Sequence, residues 1–126
     1  MMKTTSPVAD KNDVLNALSD VIVKINDAFA IYYSRAFKHL RAVPLVTMDG
    51  AGRKYMRVST VGPYQTSAYF FIDLATGDLL KAASYKAPAL NFPRGNLFKG
   101  DVLTALTPYG VIQDSDNSLQ AILDSK

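Results

Sequence analysis

The middle of the chain combines positive charge with aromatic rings. Between Arg35 and Lys99 there are ten Lys or Arg and three Asp, a net charge of +7, whereas the whole chain carries +3. Nine of the thirteen Tyr and Phe residues lie in the same stretch. Because Lys and Arg bind phosphates and flat rings stack on unpaired bases, this combination is typical of proteins that bind single-stranded nucleic acid. The alternative is a solvated basic face beside an ordinary aromatic core.

Residue types that carry catalysis are scarce. The chain has no Cys and no Glu, and its single histidine, His39, stands near the end of a predicted helix, where an imidazole interacts with terminal carbonyls. Asp49 and Asp78 fall at predicted turns, where Asp commonly bonds to the local backbone. We therefore predict a protein that is not an enzyme and that holds no metal and no cofactor.

The composition is that of one folded domain. Of its 126 residues, 48% are hydrophobic and 20% charged, which is enough to bury a core. No stretch is apolar enough to span a bilayer, and the first ten residues lack the apolar core of a secretory signal. These features predict a cytoplasmic protein, which the absence of Cys permits.

A long helix and several short strands are predicted to position the basic and aromatic residues. Apolar residues recur every three to four positions over residues 12–41, which indicates an amphipathic helix after a polar tail at 1–11. The period then changes to two within 42–99, which predicts a meander of antiparallel strands. We expect an α+β fold, with the helix packed on a three- or four-stranded sheet and with a short helix or tail in the acidic segment 100–126.

The predicted strands are separated by turn residues. We expect strands at residues 45–48, 54–61, 65–73 and 79–85. Turns are expected at Asp49-Gly50-Ala51-Gly52, at Gly62-Pro63 and at Thr76-Gly77-Asp78. The stretch from Ala87 to Lys99 contains two prolines and is predicted to be irregular.

Alternation of side chains along the strands predicts two different sheet faces. Met56, Val58, Leu80 and Ala82 are expected to face the helix. The opposite face would then present rings and cations together: Tyr55, Arg57, Tyr69 or Phe71, Lys81 and Tyr85. Such a face is a stacking platform for single strands. The alternatives are a strand buried on both faces at residues 69–71, and cations that only guard the sheet edge against aggregation.

The irregular stretch is a second candidate binding element. Pro88 and Pro93 stiffen its backbone, and Gly95 allows a close approach to a ligand. Cations and rings alternate along it: Tyr85, Lys86, Phe92, Arg94, Phe98 and Lys99. The alternative is a covering loop that Phe92 and Phe98 hold against the core.

Together these elements predict a non-catalytic, sequence-tolerant single-stranded DNA-binding protein. The predicted contacts to phosphates are Lys54, Arg57, Lys81, Lys86, Arg94 and Lys99, and the predicted stacking rings are Tyr55, Tyr85 and Phe92. The length of the helix suggests a homo-oligomer. The acidic end, from Asp114 to Asp124, would recruit a partner, close the groove or fray. The rival interpretations are a protein-interaction module without nucleic-acid binding and a small structural component of a virion.

Part of the chain resembles a group of small proteins of tailed bacteriophages. The shared run extends from Tyr69 to Ala89 and is followed by Arg94-Gly95-Asn96-Leu97-Phe98, about a quarter of the chain. It is similar to the Drc-type single-stranded-DNA-binding RNA polymerase cofactors of Pseudomonas bacteriophages.

The resemblance implies a fold other than the OB fold and DNA binding without catalysis. It also implies engagement of melted promoter DNA, a phage-encoded RNA polymerase as partner, and a location in the cytoplasm of the infected bacterial host. The matched candidate residues are Lys81, Tyr85, Lys86, Arg94 and Gly95.

Overall fold

A long helix, an antiparallel sheet and two short helices make up the protein, whose computed structural model describes residues 10–37, 43–51, 54–112 and 117–125. The helices are α1 (Lys11–Ala36), α2 (Val102–Ala105) and α3 (Leu119–Asp124). The strands are β1 (Leu45–Ala51), β2 (Tyr55–Val61), β3 (Thr66–Asp73), β4 (Asp78–Lys81) and β5 (Gly95–Asn96). The α+β fold is confirmed, with five strands in the order β1-β2-β3-β4-β5 instead of three or four.

Helix α1 forms where the apolar rhythm predicts it, but it is shorter. The side chain of Asp10 caps its first turn by accepting a hydrogen bond from the Asn12 N–H, and Val14, Leu18 and Phe29 are among its buried residues. The helix ends at Ala36, whereas the sequence predicts it to continue to residue 41. Residues 38–42, which include His39, lie outside the described residues. None of the helices in the described part of the chain has the length and apolar character needed to cross a bilayer.

The strand boundaries differ from the prediction at both edges of the sheet. Strand β1 continues through Asp49 and Gly50, where a turn is predicted, because Gly50 adopts a φ of +89° and the register shifts in a bulge. Strand β4 ends at Lys81 rather than at residue 85. Strand β5 lies within the stretch predicted to be irregular and pairs with β4.

The inner sheet face, which α1 and the C-terminal helices cover, carries the main core. Met56, Val58, Phe70, Ile72 and Leu79 are buried in it. The Leu119 and Ile122 side chains of α3 belong to the same core. The described part of the acidic end is therefore a packed helix rather than a frayed terminus.

Asn26 attaches α1 to the open edge of the sheet. Its side-chain amide donates to the Val46 carbonyl and accepts from the Val46 N–H, both at 2.9 Å. Because β1 is an edge strand, these backbone groups have no strand partner on that side. The two hydrogen bonds satisfy them and close this part of the edge to other chains.

A bulge in β3 turns Tyr69 towards the core. In the register of β2 and β3, Val58 lies opposite Phe70 and the next residue, Ser59, lies opposite Ala68, so Tyr69 is the extra residue. Its ring lies 5.7 Å from the Phe29 ring, centroid to centroid. Its hydroxyl donates to the Thr107 carbonyl at 2.6 Å. Placing Tyr69 on the outer face, one of the two options that alternation offered, is therefore wrong.

The two faces of β4 are the reverse of the prediction. Phe71 lies opposite Arg57 on β2 and opposite Leu80 on β4, so these three residues share the outer face. Lys81 lies opposite Phe70 and therefore on the inner side of the sheet. Leu79 and Leu80 are both apolar, so the sequence pattern alone did not determine which one faces α1.

A segment that we call the crossing loop, residues 82–94, covers the middle of the outer face. The loop leaves β4 and returns along it, since Ala82 bridges to Pro88 and the Ala89 N–H donates to the Lys81 carbonyl at 2.7 Å. Its tip reaches across β3 and β2, because the Tyr85 hydroxyl donates to Asp49 on β1 at 2.7 Å. Phe71 and Leu80 lie on that face and expose only 3% and 6% of their surface. The expected open platform is thus occupied by the chain itself.

Candidate nucleic-acid interface

Arg57 and Tyr85 are brought together on the outer sheet face, where Tyr85 arrives through the crossing loop rather than along β4 as predicted. The guanidinium carbon of Arg57 lies 4.0 Å from the centroid of the Tyr85 ring. The Arg57 Nη1 donates to the Tyr85 carbonyl at 3.3 Å. Arg57 therefore fixes both the ring and the backbone of Tyr85.

Asp49 balances the charge of Arg57. Its Oδ2 lies 3.4 Å from the Arg57 Nε, close enough for an ion pair, and it accepts hydrogen bonds from the hydroxyls of Tyr85 and Ser59. These hydrogen bonds, with Tyr85 contributing most, hold the pKa of Asp49 below its usual value, and the bond to Asp49 raises the pKa of Tyr85. Arg57 is thus a positioning group with a neutralised charge rather than a free cation.

Tyr55 and Lys54 lie at one end of the same face. Tyr55 is half-buried and lies opposite Asp73, two residues from Arg57 along β2. The side chain of Lys54 is exposed, while its carbonyl accepts a hydrogen bond from the Leu74 N–H at 2.8 Å. Both residues therefore border the face that the crossing loop covers.

Three rings between residues 82 and 100 are about half exposed, and each contacts a fixed group. Tyr85, Phe92 and Phe98 expose 43%, 55% and 51% of their surface. Arg57 lies on Tyr85, and the guanidinium carbon of Arg94 lies 4.3 Å from the centroid of Phe92. Phe98 lies on the backbone of Gly77, where a Cβ would be 2.8 Å from a ring carbon. Each ring is therefore held in place and still partly open to solvent.

The predicted lysines are exposed and unpaired. Lys54, Lys81, Lys86 and Lys99 are all exposed. Among the described residues, the one ion pair is that between Arg57 and Asp49. The four ammonium groups are thus available to an external anion.

The candidate residues do not form one groove. Tyr55, Arg57 and Tyr85 lie on the outer face. Phe92 and Arg94 line a cavity of about 280 Å³ beside α2, together with Asp101, Thr104, Ala105 and Val111. Lys81 lines a neighbouring open groove of about 440 Å³ that also contains Tyr69, Tyr109 and Val111.

One comparison with known proteins gives a match. Residues 2–104 match the model of a family of unknown function, DUF7717. The chain belongs to the DUF7717 family. No curated protein and no solved structure matches it. All nine candidate residues lie inside the region shared with the DUF7717 model, whereas Tyr109 and α3 lie beyond it.

The aromatic cluster at the end of α1 is a feature of this DUF7717 member that the sequence analysis missed. Tyr32, Tyr33 and Phe37 contact one another, and Tyr32 also contacts the ring of Tyr109, which is 68% exposed. A hydrogen bond between the Tyr32 and Tyr109 hydroxyls raises the pKa of Tyr32 to about 12. The helical spacing of the first three residues was visible, but the position of Tyr109 depends on the tertiary fold.

No candidate metal site is present in the described part of this DUF7717 member. There, no three His, Asp or other ligand-type side chains lie close enough together to hold a metal ion.

Proposed function

We propose that this protein binds single-stranded DNA without catalysing a reaction on it. The observation that carries the proposal is the chain segment between residues 79 and 100, along which three half-exposed rings alternate with four cations and no Asp occurs. Rings held open beside unpaired cations are what stacking on bases and contact with phosphates require.

Of the two features, exposed rings are less common on protein surfaces than exposed cations. A cation on the surface costs little, whereas exposed Phe side chains lose the stabilisation that burial would give. Phe92 and Phe98 nevertheless expose 55% and 51% of their surface. Binding of an unstacked base would cover them, at about 1–3 kcal/mol for each stacked base.

The contacts divide the candidate residues by role. Lys54, Lys81, Lys86 and Lys99 neutralise phosphates, and Tyr85, Phe92 and Phe98 stack on bases. Arg57 and Asp49 hold Tyr85 in position and do not themselves contact DNA.

The proposal is tested by fluorescence anisotropy with a labelled oligothymidylate at several salt concentrations. We expect saturable binding that weakens with salt, at a log–log slope of about −0.7 for each phosphate contacted. A duplex of the same length should bind more weakly, because its bases are not available for stacking. The absence of any binding at low salt and micromolar protein would contradict the proposal.

A protein-interaction module without nucleic-acid binding is the second candidate. The exposure of Phe37, Tyr109 and Ile112 on the helix side of the molecule favours it. Absence of DNA binding in the anisotropy experiment would support this candidate. A phage-encoded RNA polymerase remains the protein partner that the resemblance implies, and co-purification of the two proteins would test it.

A further inference from the structure

The cavity beside α2 contains an arginine with unused hydrogen-bond donors. Arg94 is half-buried, and its guanidinium donates no hydrogen bond to any residue that the structure describes. Its Nε is shielded from water and has no acceptor. Because Nε is closed to solvent, a ligand in the cavity cannot reach it; the donors that remain open to a ligand are the Nη1 and Nη2 groups of Arg94, which make no hydrogen bond to a described residue.

A carboxylate lines the same cavity without pairing with Arg94. Asp101 and Arg94 form no ion pair within 4 Å, since the described residues contain only the pair made by Arg57. One oxygen of Asp101, Oδ1, accepts the Asn96 N–H at 2.7 Å. The cavity therefore has a donor group and an acceptor group separated by an open space.

The two groups together exclude a simple anion site. A phosphate would satisfy Arg94, but the carboxylate of Asp101 would repel it. The ligand must instead present acceptors on one edge and donors on another. The volume of about 280 Å³ lies just below the usual range for drug-sized ligands, which suits a single flat group beside Phe92.

We propose that this cavity binds one unstacked base of the DNA strand and favours guanine. Guanine offers O6 and N7 as acceptors to Arg94, and its N1–H and N2–H₂ donors lie on the adjacent edge, where Asp101 can accept them. Thymine has a single N–H donor, and adenine lacks the second acceptor beside N7. The exposed part of the Phe92 ring supplies the apolar contact.

This inference rests on the proposed function, so its test must separate the two. Anisotropy titrations compare an oligothymidylate with the same strand carrying one central dG, dA or dC. We expect the dG strand to bind at least about fivefold more tightly than the all-thymine strand. Hypoxanthine in place of guanine removes N2–H₂ and should lose part of that gain.

Asp101→Asn with Asp78→Asn as control tests the residue assignment. The amide introduced by Asp101→Asn keeps an oxygen for the Asn96 N–H but lacks the carboxylate charge, so the ratio of affinities for the dG strand and the all-thymine strand should fall to about one. Asp78→Asn makes the same charge change at another contact of Asn96 and should keep the preference.

The outcomes separate three claims, which are DNA binding, the base preference and the assignment to Asp101. If no strand binds, both the function and the base preference are wrong. If all strands bind equally well, the preference is wrong and DNA binding stands. If Asp101→Asn keeps the preference, the assignment to Asp101 is wrong. Should that variant fail to fold, the four strands and the hypoxanthine strand still test the preference with the unmodified protein.

Discussion

At the scale of single residues, the partners of a cation determine what it can bind. Arg57 and Lys86 both belong to the basic middle of the chain. Arg57 lies against Tyr85 and beside Asp49, whereas Lys86 is exposed and has no carboxylate partner among the described residues. The sequence predicts that both residues contact phosphate, but in the structure only Lys86, of the two, is free to contact an external phosphate.

Asp49→Asn should lower the melting temperature at neutral pH. The pKa of Asp49 is lowered in the folded protein, so the ionised group stabilises the fold above its ordinary pKa, and this stabilisation is lost as the pH falls through the folded value. The difference between variant and wild type should therefore narrow below about pH 4. Thermal melts followed by circular dichroism, from neutral pH to below about pH 4, measure this difference in melting temperature.

Asp20→Asn is the matched control, because Asp20 is exposed on α1. It should change the melting temperature little at any pH. If the melting temperature of Asp49→Asn stays below that of the wild type by the same amount down to the lowest pH, the ionised Asp49 does not stabilise the fold as proposed.

Lys86→Ala combined with Lys99→Ala should weaken DNA binding and reduce its salt dependence. Each lost phosphate contact should reduce the log–log slope by about 0.7. Both side chains are exposed, so the melting temperature should change little. The double variant Lys11→Ala, Lys24→Ala removes the same charge from exposed positions on α1 and should leave the slope unchanged; equal effects of the two would show a non-specific charge response.

At the scale of elements, two attachments determine how the sheet is covered. Asn26 holds α1 to the edge of β1, and the crossing loop holds the opposite face through Tyr85. Neither attachment involves strand pairing. Asn26 covers backbone groups at the edge of the sheet, and the crossing loop covers apolar side chains on its outer face.

Asn26→Ala should lower the free energy of unfolding by about 2 kcal/mol or more, because the N–H and carbonyl of the buried Val46 both lose their partner. Urea unfolding measures the change. Asn16→Ala, at an exposed position of the same helix, should have little effect. Similar losses in the two variants would show that the amide contacts to β1 contribute nothing.

Phe71→Ala distinguishes a covered sheet face from an open platform. Because the crossing loop buries Phe71, we expect the variant to lose about 3–5 kcal/mol of stability, although the residue faces away from α1. Phe71→Leu should retain most of the wild-type stability. A small loss of stability with a large loss of DNA affinity would show instead that Phe71 is an exposed stacking residue.

At the scale of the whole molecule, three half-exposed rings and the cations Lys86, Arg94 and Lys99 belong to the crossing loop and the residues that follow β5. The aromatic cluster of Tyr32, Tyr33, Phe37 and Tyr109 adjoins the groove that Lys81 lines, because Tyr109 belongs to both. The homo-oligomer suggested by the length of α1 stays a prediction, which light scattering would test.

Much of the fold could be predicted because periodicity is a local property. The helical spacing of Val14, Leu18 and Ile25 identified α1, and the alternation in 54–61 identified β2 and its faces. The prediction failed where alternation was interrupted or ambiguous. The bulge in β3 turns Tyr69 to the inner face, which simple alternation did not predict. In β4, the adjacent Leu79 and Leu80 are both apolar, so the pattern did not show which of them faces α1.

The sequence by itself determined the α+β architecture, the basic and aromatic middle of the chain and the scarcity of catalytic groups, because these follow from residue types and short spacings. Tertiary structure alone decided that Tyr85 crosses the sheet to Asp49, 36 residues away in sequence, and that Arg57 is neutralised there. It also decided that Arg94 and Asp101 line one cavity. The physical reason is that such pairs depend on strand register and loop path, which no local pattern encodes.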